Sequence, residues 1–211
     1  MRSMDKRVNL SLTTSPSPIR VYEIMSEIVS AYPQDFLNIH YCNFDNMDME
    51  GTRSGFTMEE LCRQYLTPAN VAENQIHCLQ LDNQQEFIEG LNQSGGLDAM
   101  LIGIGADGHF CGNMPGSTQF LAESYEVPFG ENSWSKSIWG DKKIPESGVT
   151  LGALALFKVK HLIMIANGKG KAEAIKNLLS SPVDDQFPSS ILKLHPNFTL
   201  ILDEDAASLL S

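Results

Sequence analysis

Basic residues are scarce in this chain: 15 Lys and Arg stand against 26 Asp and Glu, giving a formal net charge of -11 over 211 residues. So acidic a protein presents no basic face, which excludes nucleic acid and anionic membrane surfaces as partners. An anionic small molecule has to be caught by local groups instead of being steered by the overall field. Cysteine is sparse as well. Cys42, Cys62, Cys78 and Cys111 form no CxxC pair and no Cys/His cluster at zinc spacing, so free thiols in a reducing compartment are the simplest reading and no metal site is implied. Long apolar runs are missing. Nothing approaches the ~20 residues that a bilayer span requires, and the N-terminal MRSMDKRVNLSLTTS has no apolar stretch of the signal-peptide kind. Cytoplasm follows. Internal repeats and low-complexity tracts are lacking too.

What the chain does have is an ordinary globular balance, with 42% hydrophobic and 19% charged residues, enough for one domain over residues 1–211 with a sizeable core. Strand and helix patterns alternate along it. RVNLSLT (7–13) alternates apolar and polar and stops at TSPSP, and IRVYEIMSEIVSAY (19–32) places Val21, Ile24, Met25, Ile28 and Val29 on one helical face. NIHYCNF (38–44) reads as a second strand with Asp45 just past its end. FTMEELCRQYL (56–66) reads as a helix capped by Thr57 with Glu60 three residues on, closed by Pro68. QIHCLQL (75–81) is a short strand, Asp82 caps a helix through Leu91, and LDAMLIGIG reads as a strand buried on both faces. HLIMIANG (161–168) repeats that pattern and enters the helix KGKAEAIKNLLSS. FTLILDEDAASLL (198–210) gives a last strand, a cap at Asp203 or Glu204 and a final helix. The alternation predicts an α/β fold, a mostly parallel central sheet with helices on both faces, whose sites lie at the carboxyl ends of its strands.

The segments leaving those ends are TTSPSP, NFDNMD, GADGHFCGNMP and NGKGKA, so Thr13 to Ser17, Asp45, Asp107, His109 and Lys171 can converge on one rim. Of these, LIGIGADGHFCGNMPGST (101–118) is the most pointed. Its glycines suggest a nucleotide loop, yet no Lys follows Gly108 as a Walker loop demands. A dinucleotide fingerprint fails as well, because Gly105 is followed by Ala106 and Asp107 before Gly108. What remains is Asp-Gly-His at a strand end: a proton-transfer group with a carboxylate two residues away. Helix N-termini and a Lys bind phosphate, while a carboxylate and an imidazole move protons on a sugar.

The order of these loops resembles the glucosamine-6-phosphate deaminase/isomerase and 6-phosphogluconolactonase superfamily across nearly the whole chain, through RVNLSLTTSPSP, YCNFDN, GLDAMLIGIGADGHFCGNMP, GVTLGALALF, NGKGKAEAI and ILKLHPNFTLILDEDAA. The strand running into G-x-D-G-H, with Pro six residues after the His, is the specific part. The resemblance implies a Rossmann-like fold of the sugar-phosphate isomerase type, no cofactor, and a small-molecule sugar phosphate as partner. It casts Asp45 as the base that moves a proton between C1 and C2, His109 as the group assisting ring opening and Asp107 as its orienter. In the lactonases the corresponding His activates water on the ester carbonyl. Thr13, Thr14, Ser15, Ser17 and Lys171 take the phosphate contacts, and Gly105 and Gly108 the loop backbone.

Departures from the family pattern are equally specific. The phosphate loop reads Ser15-Pro16-Ser17-Pro18, and Pro16 brings no N–H. Met114 stands where deaminases carry a Glu five residues after the motif His, and Asn46 stands where they carry a second carboxyl. The additional strand and helix that these families place ahead of the phosphate loop are not seen, so either the fold is shortened at its N-terminus or the sequence is incomplete there. Three functions stay open: a sugar-6-phosphate isomerase or deaminase, a 6-phosphogluconolactonase-like hydrolase that does not need Asp45 as a C1/C2 base, and a non-catalytic sugar-phosphate-binding homologue. Plainer roles compete, with His109 a hydrogen-bonded loop histidine, Asp45 a turn cap and Lys171 a solvated lysine. His40, His77, His161 and His195 read as structural, and Met114 as packing. Trp134 and Trp139 sit in YEVPFGENSWSKSIWGDKK, an irregular excursion where a lid or a homo-oligomer contact could form, with Lys136, Lys142 and Lys143 as further phosphate candidates.

Overall fold

The computed structural model describes residues 6–49, 51–129 and 145–210. Trp134, Trp139, Lys136, Lys142 and Lys143, and with them the excursion reading, lie outside the described residues. Over the rest, the elements follow in the order β1 (Val8–Leu12), α1 (Ile19–Ala31), β2 (Ile39–Cys42), β3 (Asp45–Met47), α2 (Phe56–Leu61), β4 (Ile76–His77) and α3 (Gln84–Gln93). Then come β5 (Ala99–Ile102), β6 (Ser124–Pro128), β7 (Ser147–Leu151), α4 (Ala153–Phe157), β8 (Leu162–Ala166), α5 (Ala172–Ser180) and β9 (Phe198–Leu202).

Six strands pair in parallel in the order β4-β2-β1-β5-β8-β9. The chain winds outward from β1 through β2 to β4, then crosses back to β5 and winds the other way through β8 to β9. That reversal lies between β1 and β5, and the loops leaving these two strands diverge there to open a crevice at their carboxyl ends. β1 is buried along its whole length, as its place in the middle of the sheet requires. One apolar cluster gathers Met100, Ile102, Leu156, Leu162, Met164, Ile175 and Leu178. A second gathers Leu10, Tyr22, Tyr41, Met58, Leu61 and Tyr65. A small antiparallel sheet, β3-β7-β6, stands beside the large one.

Several elements differ from the sequence reading. In α1 the buried residues are Tyr22 and Val29, while Ile24 and Ile28 are 44% and 40% exposed, because the stripe meeting the sheet is rotated toward Tyr22, whose ring stacks on Tyr65. Gly55, not Thr57, occupies the N-cap position of α2, and Thr57 is buried within the first turn. The helix runs on as a wider π turn over Cys62–Leu66, with the Thr67 N–H bonded to the Cys62 carbonyl. Asn83 precedes α3 in place of Asp82, and its side chain accepts from the Gln80 N–H, outside the helix. Asp45 opens β3 instead of trailing β2 as a turn residue. The segment after β9 forms turns, not a helix. Asp203 caps the first of them through the Ala206 N–H at 2.8 Å.

Candidate active site

A cleft of about 440 Å³ opens at the switch point, lined by Thr13, Thr14 and Ser15 after β1, Asp45 from β3, Gly105 and His109 after β5, and Lys171 after β8. Seven residues far apart in sequence are thus brought together by the carboxyl-end rule. Ser17, Asp107 and Gly108 flank residues of the lining without belonging to it. The Ser17 hydroxyl donates to the Asn167 side chain at 2.9 Å, tying the first loop to the end of β8.

The Asp-Gly-His loop explains its own glycines. His109 Nδ1 lies 2.6 Å from Asp107 Oδ1, and the same carboxylate oxygen accepts the His109 N–H at 3.1 Å. The Gly105 N–H donates to the His109 carbonyl at 2.8 Å and closes the loop on itself. A β-carbon on Gly105 would sit 2.1 Å from His109 Nδ1, so only glycine lets the imidazole fold back over the backbone. Gly108 has φ of 85°, a left-handed conformation that a side chain resists, and a β-carbon there would strike Phe187. The hydrogen bond from His109 holds the Asp107 carboxyl down at about 2, so it stays ionised and accepts the ring N–H at Nδ1. Nε2 is then the basic nitrogen.

Asp45 is set by a different network. Asn43, fully buried, donates to the Asp45 and Leu79 carbonyls at 2.9 and 3.1 Å and accepts the Leu79 N–H, which bends the chain sharply between β2 and β3. Burial in the cleft wall raises the Asp45 carboxyl from 3.8 to about 7, although a hydrogen bond with the buried Thr57 side chain and the nearby His109 both favour its charge. Cys111, held at φ of 50°, lines the same cleft, and burial pushes its thiol well above its usual range.

Asn46 is not a catalytic vacancy. Its amide donates to the Ser54 carbonyl at 2.7 Å and to the Leu79 carbonyl at 3.0 Å, while its oxygen accepts the Met47 and Thr57 N–H groups. It therefore ties off the start of α2 and holds Thr57 against Asp45. Two of those four bonds require an amide N–H, so a carboxylate cannot replace it without loss.

In the loop after β1, the Thr13 carbonyl accepts from the Tyr22 hydroxyl at 2.6 Å and the Thr14 carbonyl from the Gln64 amide at 3.2 Å. The N–H groups of Thr14, Ser15 and Ser17 donate to no group among the described residues, and the Ser15 hydroxyl is buried without a protein partner. Pro16 removes one donor from the loop without removing the cradle. Lys171 ends a short 3-10 turn, Lys169–Lys171, at the N-terminal side of α5. No ion pair holds it among the described residues. Burial lowers its proton affinity, and Asp107 partly offsets this. The turn is anchored by Asp203, whose two carboxylate oxygens accept the Gly168 N–H at 3.0 and 2.9 Å.

Sequence reasoning missed Thr57, Asn43 and Cys111 as residues of this site, the structural bonds of Asn46, and the role of Asp203 in holding the Lys171 turn. The YCNFDN motif carries Asn43 and Asn46 in plain view, but Asn43 draws no reading and Asn46 is read only against the carboxyl that deaminases carry there. Asn113 of the GNMP motif was likewise hidden. Buried, it donates to the Leu151 carbonyl at 2.9 Å and accepts from the Tyr125 hydroxyl at 2.9 Å, which locks the loop to the small sheet. Met114, one residue on, is outside the cleft lining.

Comparison with known proteins agrees with this geometry. Residues 3–200 match the family described as glucosamine-6-phosphate isomerases/6-phosphogluconolactonase. A glucosamine-6-phosphate deaminase of Alkaliphilus metalliredigens is 30% identical over 95% of this chain and 87% of its own length, and one of Halothermothrix orenii is 29% identical over the same shares. Among solved structures, a monomeric glucosamine-6-phosphate deaminase superposes with a TM-score of 0.83 at 24% identity, covering 96% of this chain and 88% of that one. The 6-phosphogluconolactonase of Leishmania guyanensis gives 0.74 at 20% identity, over 97% and 87%. The chain belongs to the glucosamine-6-phosphate isomerase/6-phosphogluconolactonase family.

Proposed function

We propose that this chain is a sugar-6-phosphate isomerase/deaminase of the glucosamine-6-phosphate type, which moves a proton between C1 and C2 of the opened sugar. The observation that carries the reading is Asp45, a carboxylate in the wall of the same cleft as His109 and Lys171, with its proton affinity raised to about 7. A base that both takes and returns a proton works best when its affinity lies near the working pH. In the proposed sequence, His109 accepts a proton through Nε2 and returns it to the ring oxygen as the sugar opens, with Asp107 stabilising the imidazolium. Asp45 then removes the proton from C2 and delivers it to C1, and the 2-amino group leaves as ammonia when water adds at C2. Lys171, the Thr14, Ser15 and Ser17 N–H groups and the hydroxyls of Thr13, Thr14 and Ser15 hold the phosphate at the other end of the cleft.

The reading needs no metal or organic cofactor, since each step is a proton transfer or water addition that these side chains serve. It places the protein in carbohydrate metabolism, and the four free cysteines suit a reducing compartment such as the cytoplasm. Because the cleft draws on positions from Thr13 to Lys171, residues 1–211 read as one working unit.

A second reading, a 6-phosphogluconolactonase-like hydrolase, is favoured by Met114, which leaves His109 with Asp107 but no relay carboxylate five residues on. Asp45→Asn separates the two. It abolishes isomerisation if Asp45 is the C1/C2 base, and leaves lactone hydrolysis largely intact if His109 alone activates water. An Asp45→Asn protein that isomerises glucosamine 6-phosphate at the wild-type rate removes Asp45 from the mechanism.

A further inference from the structure

A second cavity, of about 350 Å³, lies between the β4-β2-β1 edge of the large sheet and α3, and shares no lining residue with the cleft described above. Its polar wall is a chain of three nitrogen groups. Arg7 donates through Nε to the Asn9 side chain at 2.7 Å, and its Nη2 lies 3.0 Å from His77 Nε2. His40 Nδ1 lies 2.8 Å from the same His77 nitrogen, with the two rings stacked. A guanidinium can only donate, so His77 Nε2 must accept, and His40 Nδ1 must then donate to it as well. The tautomers are fixed: His77 carries its proton on Nδ1 and His40 on Nδ1. Both rings are held neutral, His40 down at about 4, by burial first and the Arg7 charge second.

Arg7 is half-buried and has no carboxylate partner among the described residues. Around it the Cys42 and Cys78 thiols are kept protonated by burial, and Glu86 stands exposed on α3. In a protein with a net charge of -11, a guanidinium without a carboxylate partner among the described residues, in a concave site, is a place where an anion gains most. The opposite wall adds an independent observation. Gly90 sits inside α3 and lines the cavity, and a β-carbon built on it would meet nothing within 4 Å. A helix-interior glycine weakens the helix relative to alanine, and no neighbour here requires it. Gly90 adds no side chain to a cavity wall that Phe87 and Leu91 also line.

We propose that this cavity is a binding site for a small-molecule oxyanion, a phosphate or carboxylate group held by Arg7 with the His40–His77 pair beside it and the apolar Phe87–Leu91 wall under the rest of the ligand. The Cys42 end of β2 that lines it leads directly into Asn43, the residue that bends the chain toward Asp45.

The test uses the full chain and the ring signals of its histidines in proton–carbon NMR, titrated with inorganic phosphate and, separately, with acetate. The His40 and His77 signals, identified by His40→Gln and His77→Gln, should move saturably with at least one of the two anions, and the tighter of the two names the group. Arg7→Gln should weaken that response by about tenfold or more, the usual loss when one charge-assisted contact is removed. Gly90→Leu, which adds a side chain at a lining residue of the cavity, should abolish it while leaving the His109 response unchanged. A response that does not saturate, that persists in Gly90→Leu, or that is confined to His109 overturns the proposal.

Discussion

Replacing Asp45 by Asn should cost activity and yield stability, and both effects can be sized. The native carboxyl holds its proton up to about pH 7, whereas the same group in the unfolded chain ionises at 3.8. Between those values the native state binds more protons, so wild-type stability falls as pH rises from about 4 to 7 and stays reduced above. The gap amounts to about 4 kcal/mol once both states are ionised. The amide introduced by Asp45→Asn does not titrate and can still accept from Thr57, so the variant should match the wild type in urea melts at pH 4 and exceed it by a few kcal/mol at pH 8. The same protein should lose roughly 100- to 10,000-fold in isomerase kcat, the usual weight of a positioned base. A variant whose stability relative to the wild type is the same at pH 4 and pH 8, or whose kcat is unchanged, would refute the argument that burial tunes this carboxylate for proton transfer.

Asp107→Asn leaves the loop shape but no longer secures the proton on His109 Nδ1, and steady-state kinetics should show kcat falling by roughly 100-fold or more with KM nearly unchanged. Because the native Asp107 carboxyl stays ionised down to about 2, while its unfolded counterpart protonates near 3.8, the stability from this contact is full above pH 4 and fades as pH drops toward 2. Acid titration followed by near-ultraviolet circular dichroism should show the fade, and show it missing in Asp107→Asn. Asn46→Asp removes two amide donors from the Ser54 and Leu79 carbonyls and buries a charge, so denaturant melts should report a loss of about 2–5 kcal/mol; an unchanged midpoint would contradict the structural role given to Asn46. Lys171→Ala should raise KM for a sugar 6-phosphate about tenfold or more, with little change for its unphosphorylated counterpart. Equal effects on both would remove Lys171 from the phosphate end.

The fold is legible where burial is one-dimensional. LDAMLIGIG and HLIMIANG announce central parallel strands because both faces are covered, and the rule that sites gather at carboxyl ends then places Thr13, Asp45, His109 and Lys171 in one cleft. Legibility fails where partners come from afar. The face of α1 is set by Tyr22 stacking on Tyr65, which no helical periodicity encodes, so periodicity alone turns Ile24 and Ile28 inward. The small sheet β3-β7-β6 joins Asp45 to Thr150, a pairing across more than a hundred residues that local pattern cannot reveal. At the site, Asp107, His109 and Gly105 explain one another within five positions and can be read as a unit. Asn43, Asn46 and Asn113 cannot, because a buried asparagine and a turn asparagine look alike until the carbonyls they serve are in place.

The central claim is that Asp45 carries a proton between two sugar carbons, and deuterium transfer tests it most directly. Glucosamine 6-phosphate is incubated with the wild-type protein in deuterated water, and the product is followed by proton NMR alongside ammonia release. Direct carriage predicts a ketose 6-phosphate that keeps at C1 the proton taken from C2 even in deuterated water, formed together with ammonia, and neither product with Asp45→Asn. Deuterium entering C1 at the same rate in both proteins, or no turnover of this substrate by a wild-type protein that hydrolyses 6-phosphogluconolactone, would contradict it.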